Sequence, residues 1–241
     1  MAKTLRIGLL TPSSNTVLEP LTSAMVAGLG DATAHFSRFT VKEIGLGDKA
    51  LGQFDQEPML SAAELLSHAK VDVISWNGTS ASWLGLESDK KLISGIESRT
   101  ATSASTCVLS MMDALEALGA RSYGLVTPYT SDVQQKIVDN LRTHRLQCLD
   151  EVHFGISDNF SFGLVEKDTI ANAVRKVAQN RPDAILIMCT NLGGAVLARA
   201  LEEETGVAIL DSVTVTVWGA LRAAGRATDG LAPWGPKLAR L

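Results

Sequence analysis

The sequence predicts an α/β fold of two pseudo-symmetric α/β lobes, each with a mainly parallel sheet flanked by helices, with the active site in the cleft between the lobes. Short apolar runs alternate with helical patterns along the chain, which is typical of βαβ units. Two pairs of segments also repeat: Gly8–Pro12 matches Gly124–Pro128, and Val71–Ser80 matches Pro182–Asn191. The offsets of 116 and 111 residues (124 − 8 and 189 − 78) are too long for a solenoid and indicate two related halves.

Each predicted strand is a short, nearly continuous apolar run, as expected for a parallel sheet covered on both faces. In chain order the predicted strands are Leu5–Leu10, Ala34–Thr40, Val71–Trp76, Ser122–Val126, Leu146–Phe154, Ala184–Met188 and Val207–Leu210. The predicted helices are Thr16–Gly28, Pro58–His68, Ser88–Ser98, Ser105–Leu118, Ser131–Thr143, Asp168–Asn180, Leu192–Glu204 and Asp211–Ala224. Pro58 suits the first position of a helix, and Gly206 follows a helix where its end is expected.

No linker rich in proline, glycine or serine separates the two halves. The first lobe is therefore predicted to span residues 1–118 and the second residues 119–241, with the two lobes closely packed. The segment from about 211 to 241 is able to pack back on the first lobe. The long connections at 45–57 and 156–163 are expected to form pocket walls or a lid.

The composition excludes several functional classes. The net charge of −4 and the lack of a run of five or more like charges argue against nucleic-acid binding. No apolar stretch approaches the roughly 20 residues of a membrane helix, so a cytoplasmic protein with no membrane partner is expected. The three cysteines are too widely spaced for a disulfide framework or a zinc site, and no phosphate-binding loop or dinucleotide motif is present. We therefore expect no cofactor and no metal, and homo-oligomerisation stays open.

Four turns rich in hydroxyl and amide side chains follow predicted strands. They are Thr11–Asn15, Asn77–Ser80, Thr127–Thr130 and Cys189–Gly194. Ligands of α/β sheets bind beyond the carboxyl ends of the strands, and exposed N–H groups at helix starts suit an anion. The pattern predicts that a small carboxylate or dicarboxylate is held between the lobes.

Cys189 occupies the position in the second half of the repeat that is equivalent to Gly78 in the first half. Two thiols facing each other across a cleft can remove and return a proton on opposite faces of a carbon atom. A single thiol opposite a glycine acts on one face only. Cys189 is therefore the predicted catalytic residue, and its thiol serves as an acid or, with a lowered pKa, as a base.

Several short motifs carry a family resemblance. Gly78-Thr79-Ser80 with Ser82 is similar to a G-T-S-x-S turn, and Thr127-Pro128-Tyr129 is similar to a tyrosine-containing turn, both of the arylmalonate decarboxylases. Ser105–Leu109 resembles a helix start of the same enzymes, Cys189 falls on their second-half cysteine, and Pro12–Thr16 resembles the P-S-S-N-T motif of maleate isomerases. The chain thus resembles the aspartate/glutamate racemase superfamily, in its arylmalonate decarboxylase and maleate isomerase branch.

The resemblance implies a cofactor-independent decarboxylase of a substituted malonate. In that reaction one carboxylate leaves from an apolar pocket, the other becomes an enediolate held by hydrogen-bond donors, and one cysteine protonates the carbon. Carried over by motif, the donors are Thr79, Ser80, Tyr129 and the backbone after Cys189. The other residues predicted to bind substrate are Pro12, Ser13, Asn15, Gly78, Thr190 and Asn191.

The chain also departs from each relative. Gly78 stands where maleate isomerases have a nucleophilic cysteine, which argues against covalent isomerisation. Asn15 and Asn191 are amides that the decarboxylases lack, which suggests a more polar substrate than an arylmalonate. Two alternatives stay open: an isomerase or racemase that replaces the missing thiol by Cys107 or water, and a non-catalytic carboxylate-binding accessory protein.

Overall fold

The computed structural model describes residues 4–241 and contains two four-stranded parallel sheets. The first sheet consists of β1 (Leu5–Pro12), β2 (Ala32–Phe39), β3 (Val73–Trp76) and β4 (Ser103–Thr106). The second consists of β5 (Ser122–Thr127), β6 (Gln147–His153), β7 (Ala184–Ile187) and β8 (Ala208–Asp211). The strand orders, β2-β1-β3-β4 and β6-β5-β7-β8, are the same in both sheets. The predicted fold class of two related α/β lobes is confirmed.

Helices cover both sheets. They are α1 (Leu18–Gly28), α2 (Asp48–Leu51), α3 (Gln56–His68), α4 (Ala81–Leu84), α5 (Leu86–Thr100), α6 (Cys107–Ala117), α7 (Ser131–Thr143), α8 (Asn159–Phe162), α9 (Lys167–Ala178), α10 (Ala195–Thr205) and α11 (Ser212–Ala223). Three short 3₁₀ turns lie at Gly52–Phe54, Asp229–Leu231 and Leu238–Arg240. Along the part of the chain that the structure describes, no helix is long and apolar enough to cross a membrane.

One strand was missing from the sequence prediction. Residues Ser103–Thr106 form β4, paired with β3, where the sequence predicts loop and the start of a helix over Ser105–Leu118. The helix begins only at Cys107, because Thr106 is extended and its hydroxyl accepts from the Leu109 N–H at 3.3 Å, as an N-cap does. Three small polar residues and one alanine give no apolar run, so pairing with β3 decides the strand.

The last helix crosses between the lobes. α11 follows β8 of the second sheet, yet it packs mainly against α6, β4 and α1 of the first. Asp211 begins this helix, since its Oδ1 accepts from the N–H groups of Val213 and Thr214 at 2.9 and 3.3 Å. Farther on, Arg226 pairs with Asp31 beside the first sheet. The second half of the chain therefore helps to cover the first sheet.

The carboxyl ends of the inner strands β1, β3, β5 and β7 meet between the sheets. Gly78 lies two residues beyond the end of β3, and Cys189 lies two residues beyond the end of β7. Hydrogen bonds cross from one set of turns to the other, for example from Asn15 Nδ2 to Thr190 Oγ1 at 3.2 Å and from Thr190 Oγ1 to the Asn77 carbonyl at 3.2 Å. The parallel topology therefore brings the four predicted turns together.

Candidate active site

A small cavity of about 20 Å³ lies between these turns. Its wall is formed by Pro12, Val41, Ile44, Phe54, Trp76, Gly78, Thr79, Ser80, Trp83, Tyr129, Asn159, Cys189 and Thr190. A space of this size holds about one water molecule, since a buried water needs about 10–15 Å³. Larger grooves exist, such as one of about 360 Å³ beside Thr4 and Arg226, but they contain none of the predicted site residues. Chemistry rather than size therefore identifies the site.

Cys189 contributes a buried thiol to this cavity, only 3% exposed. Burial raises the pKa of Cys189 to about 12, although hydrogen bonds to the Tyr129 hydroxyl and the Asn191 N–H act in the opposite direction. The Asn191 N–H donates to Sγ at 3.4 Å. The resting group is thus a neutral thiol, and the two donors beside it are placed to stabilise the thiolate that forms when the proton leaves.

Thr79 and Tyr129 face each other across the cleft. Their hydroxyl oxygens lie 2.7 Å apart, and both residues are buried. Only one of the two protons is used between them, so the pair retains a second donor for another acceptor. Burial raises the pKa of Tyr129 well above its ordinary value, which keeps this phenol protonated.

Ser80 completes the donor side of the cavity. Its Oγ accepts a hydrogen bond from the Trp76 Nε1–H at 3.3 Å, which leaves the Ser80 O–H free to donate. The backbone N–H groups of Thr79, Ser80 and Thr190 find no acceptor among the described residues. Hydroxyl and amide donors therefore converge on one small volume next to the thiol, as a site for a carboxylate or an enediolate requires.

The predicted site residues divide into two groups. Pro12, Gly78, Thr79, Ser80, Tyr129, Cys189 and Thr190 all line the cavity. Ser13 lies outside it and exchanges hydrogen bonds with the backbone of Val41. The predicted contact of Ser13 with substrate gains no support from this geometry.

Asn15 and Asn191 also lie outside the lining, because their amides bind protein groups. Asn15 Oδ1 accepts from the N–H groups of Val17 and Leu18 at 2.9 and 3.0 Å, which fixes the turn that leads into α1. Asn191 Oδ1 accepts from the N–H groups of Thr16 and Val17 at 3.0 and 3.2 Å, and its Nδ2 donates to the Asn159 carbonyl. In this geometry both amides join the lobes, and their direct contact with substrate stays a prediction.

The roof of the cavity comes from the two long connections that the sequence predicts as pocket walls or a lid, 45–57 and 156–163, and from residues just before the first of them. Val41, Ile44 and Phe54 come from the segment that joins β2 to α3, and Asn159 comes from the segment after β6. The two segments hold each other: Ile44 N–H donates to the Ser157 carbonyl at 2.8 Å, Asn159 N–H to the Lys42 carbonyl at 2.9 Å, and Glu43 bridges Asp158. We call residues 42–44 and 157–159 the clasp. In the sequence, the length of both connections was the feature that indicated a part of the cavity wall.

Aromatic rings form a second part of the wall. Trp83 packs edge-to-face against Phe54 and Tyr129, with ring centroids 5.7 and 5.3 Å apart, and Tyr129 packs in the same way against Phe162. The Trp83 Nε1–H is buried and has no partner among the described residues. Apart from this N–H group, an aromatic wall faces the donor side of the cavity.

Cys107 does not join this site. Its thiol is fully buried at the start of α6 and donates to the Ser212 carbonyl at 3.3 Å, and burial raises its pKa to about 12. It is absent from the cavity lining. Within residues 4–241, no group of three or more histidine, cysteine, aspartate or glutamate side chains is arranged to hold a metal ion.

Comparisons with known proteins agree with this architecture. Residues 9–233 match the family model described as arylmalonate decarboxylase. The maleate isomerase of Geobacillus stearothermophilus is 23% identical over 92% of each chain, and the arylmalonate decarboxylase of Bordetella bronchiseptica is 26% identical over 78% of this chain and 80% of its own. A solved Nocardia farcinica maleate cis-trans isomerase with a covalently bound succinylcysteine intermediate superposes with a TM-score of 0.89, at 21% identity and with 98% of this chain and 99% of that chain covered. The chain belongs to the arylmalonate decarboxylase family, in the branch of the aspartate/glutamate racemase superfamily that also holds maleate isomerases.

Proposed function

We propose that the protein is a cofactor-independent decarboxylase of a substituted malonate, in which Cys189 protonates the carbon. The observation that carries the proposal is the neutral, buried thiol of Cys189 beside a cluster of donors, with Gly78 at the equivalent step of the other lobe. A neutral thiol is a proton donor, whereas a nucleophile or a base needs the thiolate.

In the proposed reaction one carboxylate of the malonate accepts from Ser80, from the Thr79–Tyr129 pair and from the free backbone N–H groups. The bond to the other carboxylate breaks, CO₂ leaves, and the electron pair stays on the carbon as an enediolate. The donors act where negative charge develops, and each such donor is worth on the order of 10²–10³ in rate. The departing carboxylate would face the aromatic wall, where poor solvation disfavours its charge.

The Cys189 S–H proton then moves to the carbon, which leaves a thiolate and the product monocarboxylate. The Tyr129 hydroxyl and the Asn191 N–H stabilise this thiolate, and a proton from water restores the thiol. The net reaction converts a malonate dianion and one proton into CO₂ and a monocarboxylate. Proton delivery from one side yields a single enantiomer.

Maleate isomerisation is the second candidate, because relatives such as the Geobacillus stearothermophilus protein carry that name. Covalent isomerisation would require a nucleophilic thiolate, and the raised pKa of Cys189 makes this group a poor one. The family consists of enzymes, which disfavours an accessory protein without turnover.

The three cysteines are all free, as a reducing cytoplasm would keep them, which supports the predicted cytoplasmic location.

Proton NMR in D₂O of the full chain with a panel of substituted malonates, maleate and chiral diacids tests the proposal. Loss of a carboxylate with stereospecific deuterium at the α-carbon, abolished in Cys189→Ala, is the expected result. Fumarate from maleate, or exchange without loss of carbon, would move the function to isomerase or racemase. Silence across the panel, with binding seen by calorimetry, would favour the accessory protein.

A further inference from the structure

The backbone of Gly78 lies directly against the indole ring of Trp76. A Cβ atom built on Gly78 would lie 2.2 Å from Cζ2, 2.4 Å from Cη2 and 2.7 Å from Cε2 of that ring. Non-bonded carbon atoms reach their best separation at about 3.5–4.0 Å. No side chain fits at position 78 while the indole occupies its place.

The indole is held on two sides. Its Nε1–H donates to Ser80 Oγ at 3.3 Å, and its ring packs against Phe39 with centroids 5.2 Å apart. Trp76 is 1% exposed and sits at the end of β3. The clashing atoms therefore belong to a rigid, buried ring, and a movement of the ring would break the bond to Ser80 and open the core.

We infer that Trp76 is a specificity-determining residue, because its indole fills the place where a side chain of the first lobe would face Cys189 and so makes the cleft one-sided. Two positions, Gly78 and Trp76, together distinguish this cleft from one with a thiol on each side of the substrate. The absence of a thiol at position 78 alone does not account for the difference. Adding a thiol at position 78 requires that the ring be made smaller at the same time.

The chemical consequence rests on the proposed function. A carbon bound in the cavity for protonation by Cys189 would then have the indole on its other side. The Nε1–H of the ring is engaged by Ser80 and the benzo ring carries no acidic proton, so this side supplies no proton and leaves no room for water. The enediolate is then protonated from the Cys189 side alone, and the finished product cannot be deprotonated from the opposite face. Trp76 thus accounts for a single product enantiomer without contributing a reacting group.

The test is a double-mutant cycle in the full chain with Gly78→Cys, Trp76→Leu and the two combined. We expect Gly78→Cys alone to lower Tm by about 5 °C or more, because overpacking a buried site is destabilising. In the Trp76→Leu background the same change should lower Tm by less than about 2 °C. Gly28→Cys is the matched control, since nothing lies within 4 Å of its added Cβ. Trp76→Phe, which lacks Cζ2 and the rest of the benzo ring, replaces Trp76→Leu if that variant fails to fold.

The chemical measurement follows the optical purity of a purified product enantiomer that is incubated with each variant in D₂O. The combined variant should racemise the product, and Gly78→Cys alone should not. A Gly78→Cys protein that keeps the wild-type Tm and racemises the product would overturn the inference. If the wild-type protein decarboxylates no malonate, the proposed function fails, while the Tm cycle still supports or overturns the coupling of the two positions.

Discussion

The hydroxyl oxygen of Tyr129 lies 2.7 Å from Oγ1 of Thr79, so one hydrogen bond joins the turn after β5 to the turn after β3. Both groups are buried, and the Tyr129 hydroxyl also interacts with the Cys189 thiol. A single phenol therefore connects the donor side of the cavity with the proton donor.

Tyr129→Phe removes this phenol and keeps the ring packed against Trp83. We expect kcat for the proposed decarboxylation to fall on the order of 10²-fold, because a donor to the enediolate and to the thiolate is lost. Steady-state kinetics measures the effect. Tyr123→Phe is the matched control, since Tyr123 is the other tyrosine of the chain, is buried as well, and lies outside the cavity lining. An equal loss in both variants would assign the effect to packing.

Cys189 should react slowly with alkylating reagents at neutral pH. With its pKa raised to about 12, its thiolate fraction at pH 8 is on the order of 10³ lower than that of an ordinary cysteine with a pKa of about 8.5. Iodoacetamide labelling of a Cys107→Ser/Cys148→Ser variant, followed by mass spectrometry, measures the alkylation rate of Cys189 alone. The rate should stay low up to pH 9. A labelling midpoint near pH 7–8 would instead reveal a resting thiolate, as a covalent isomerase needs.

The sequence predicted the architecture and most of the residues that line the cavity, but not the contacts that surround them. Strand alternation and the internal repeat identified two lobes, and the position after β7 identified Cys189, because backbone topology alone brings those turns together. Strand β4 was missed since Ser103–Thr106 has no apolar pattern of its own. The roles of Asn191 and Trp76 could not be read either, because they depend on which groups of the other turns lie within hydrogen-bond or van der Waals distance.

Asn191→Ala tests whether that amide joins the lobes or binds substrate. The change leaves the Thr16 N–H without its acceptor and the Asn159 carbonyl without its donor, whereas the Val17 N–H keeps Asn15 Oδ1, so we expect a loss of about 2–4 kcal/mol in the free energy of unfolding. Urea unfolding measures it. Asn180→Ala, at an exposed hydrogen bond to Asp150, should change stability by less than about 0.5 kcal/mol. Unchanged stability with a raised KM would restore the predicted substrate contact.

Asp211→Asn should alter how stability depends on pH. Burial raises the pKa of Asp211 to about 7, so the folded protein holds this proton more tightly than the unfolded chain does. The stability that this proton contributes is full below about pH 4 and is lost as pH rises through 7. Asparagine keeps an oxygen to cap α11 and cannot ionise. The variant should therefore match the wild-type protein at pH 4 and exceed it in Tm by several degrees at pH 8.

Asp183→Asn provides the opposite case for the same thermal scans. Asp183 accepts from the N–H groups of Arg121 and Ser122, which lower its pKa, so its contribution is present at neutral pH and lost as pH falls through the lowered value. This variant should be less stable than the wild-type protein at pH 7, and the difference should shrink in acid. For Asp211→Asn, a difference in Tm from the wild-type protein that stays constant from pH 4 to 8 would contradict the argument that burial raises the pKa of Asp211.

The clasp should control entry to the cavity. A space of about 20 Å³ cannot hold a malonate, so we expect part of the wall to move when substrate binds, and the clasp carries Ile44 and Asn159 of that wall. Glu43 and Asp158 form an antiparallel bridge, and such pairs have Cα separations of about 4.5–5.5 Å, within the range of a disulfide. The oxidised Glu43→Cys/Asp158→Cys variant should lose turnover at least 10-fold and regain it with dithiothreitol. Each single substitution, treated in the same way, controls for the loss of the Asp158 cap on α8. Full turnover in the oxidised protein would place the entrance on another side of the cavity, since the covalent bond holds the clasp closed while leaving the donors and Cys189 in place.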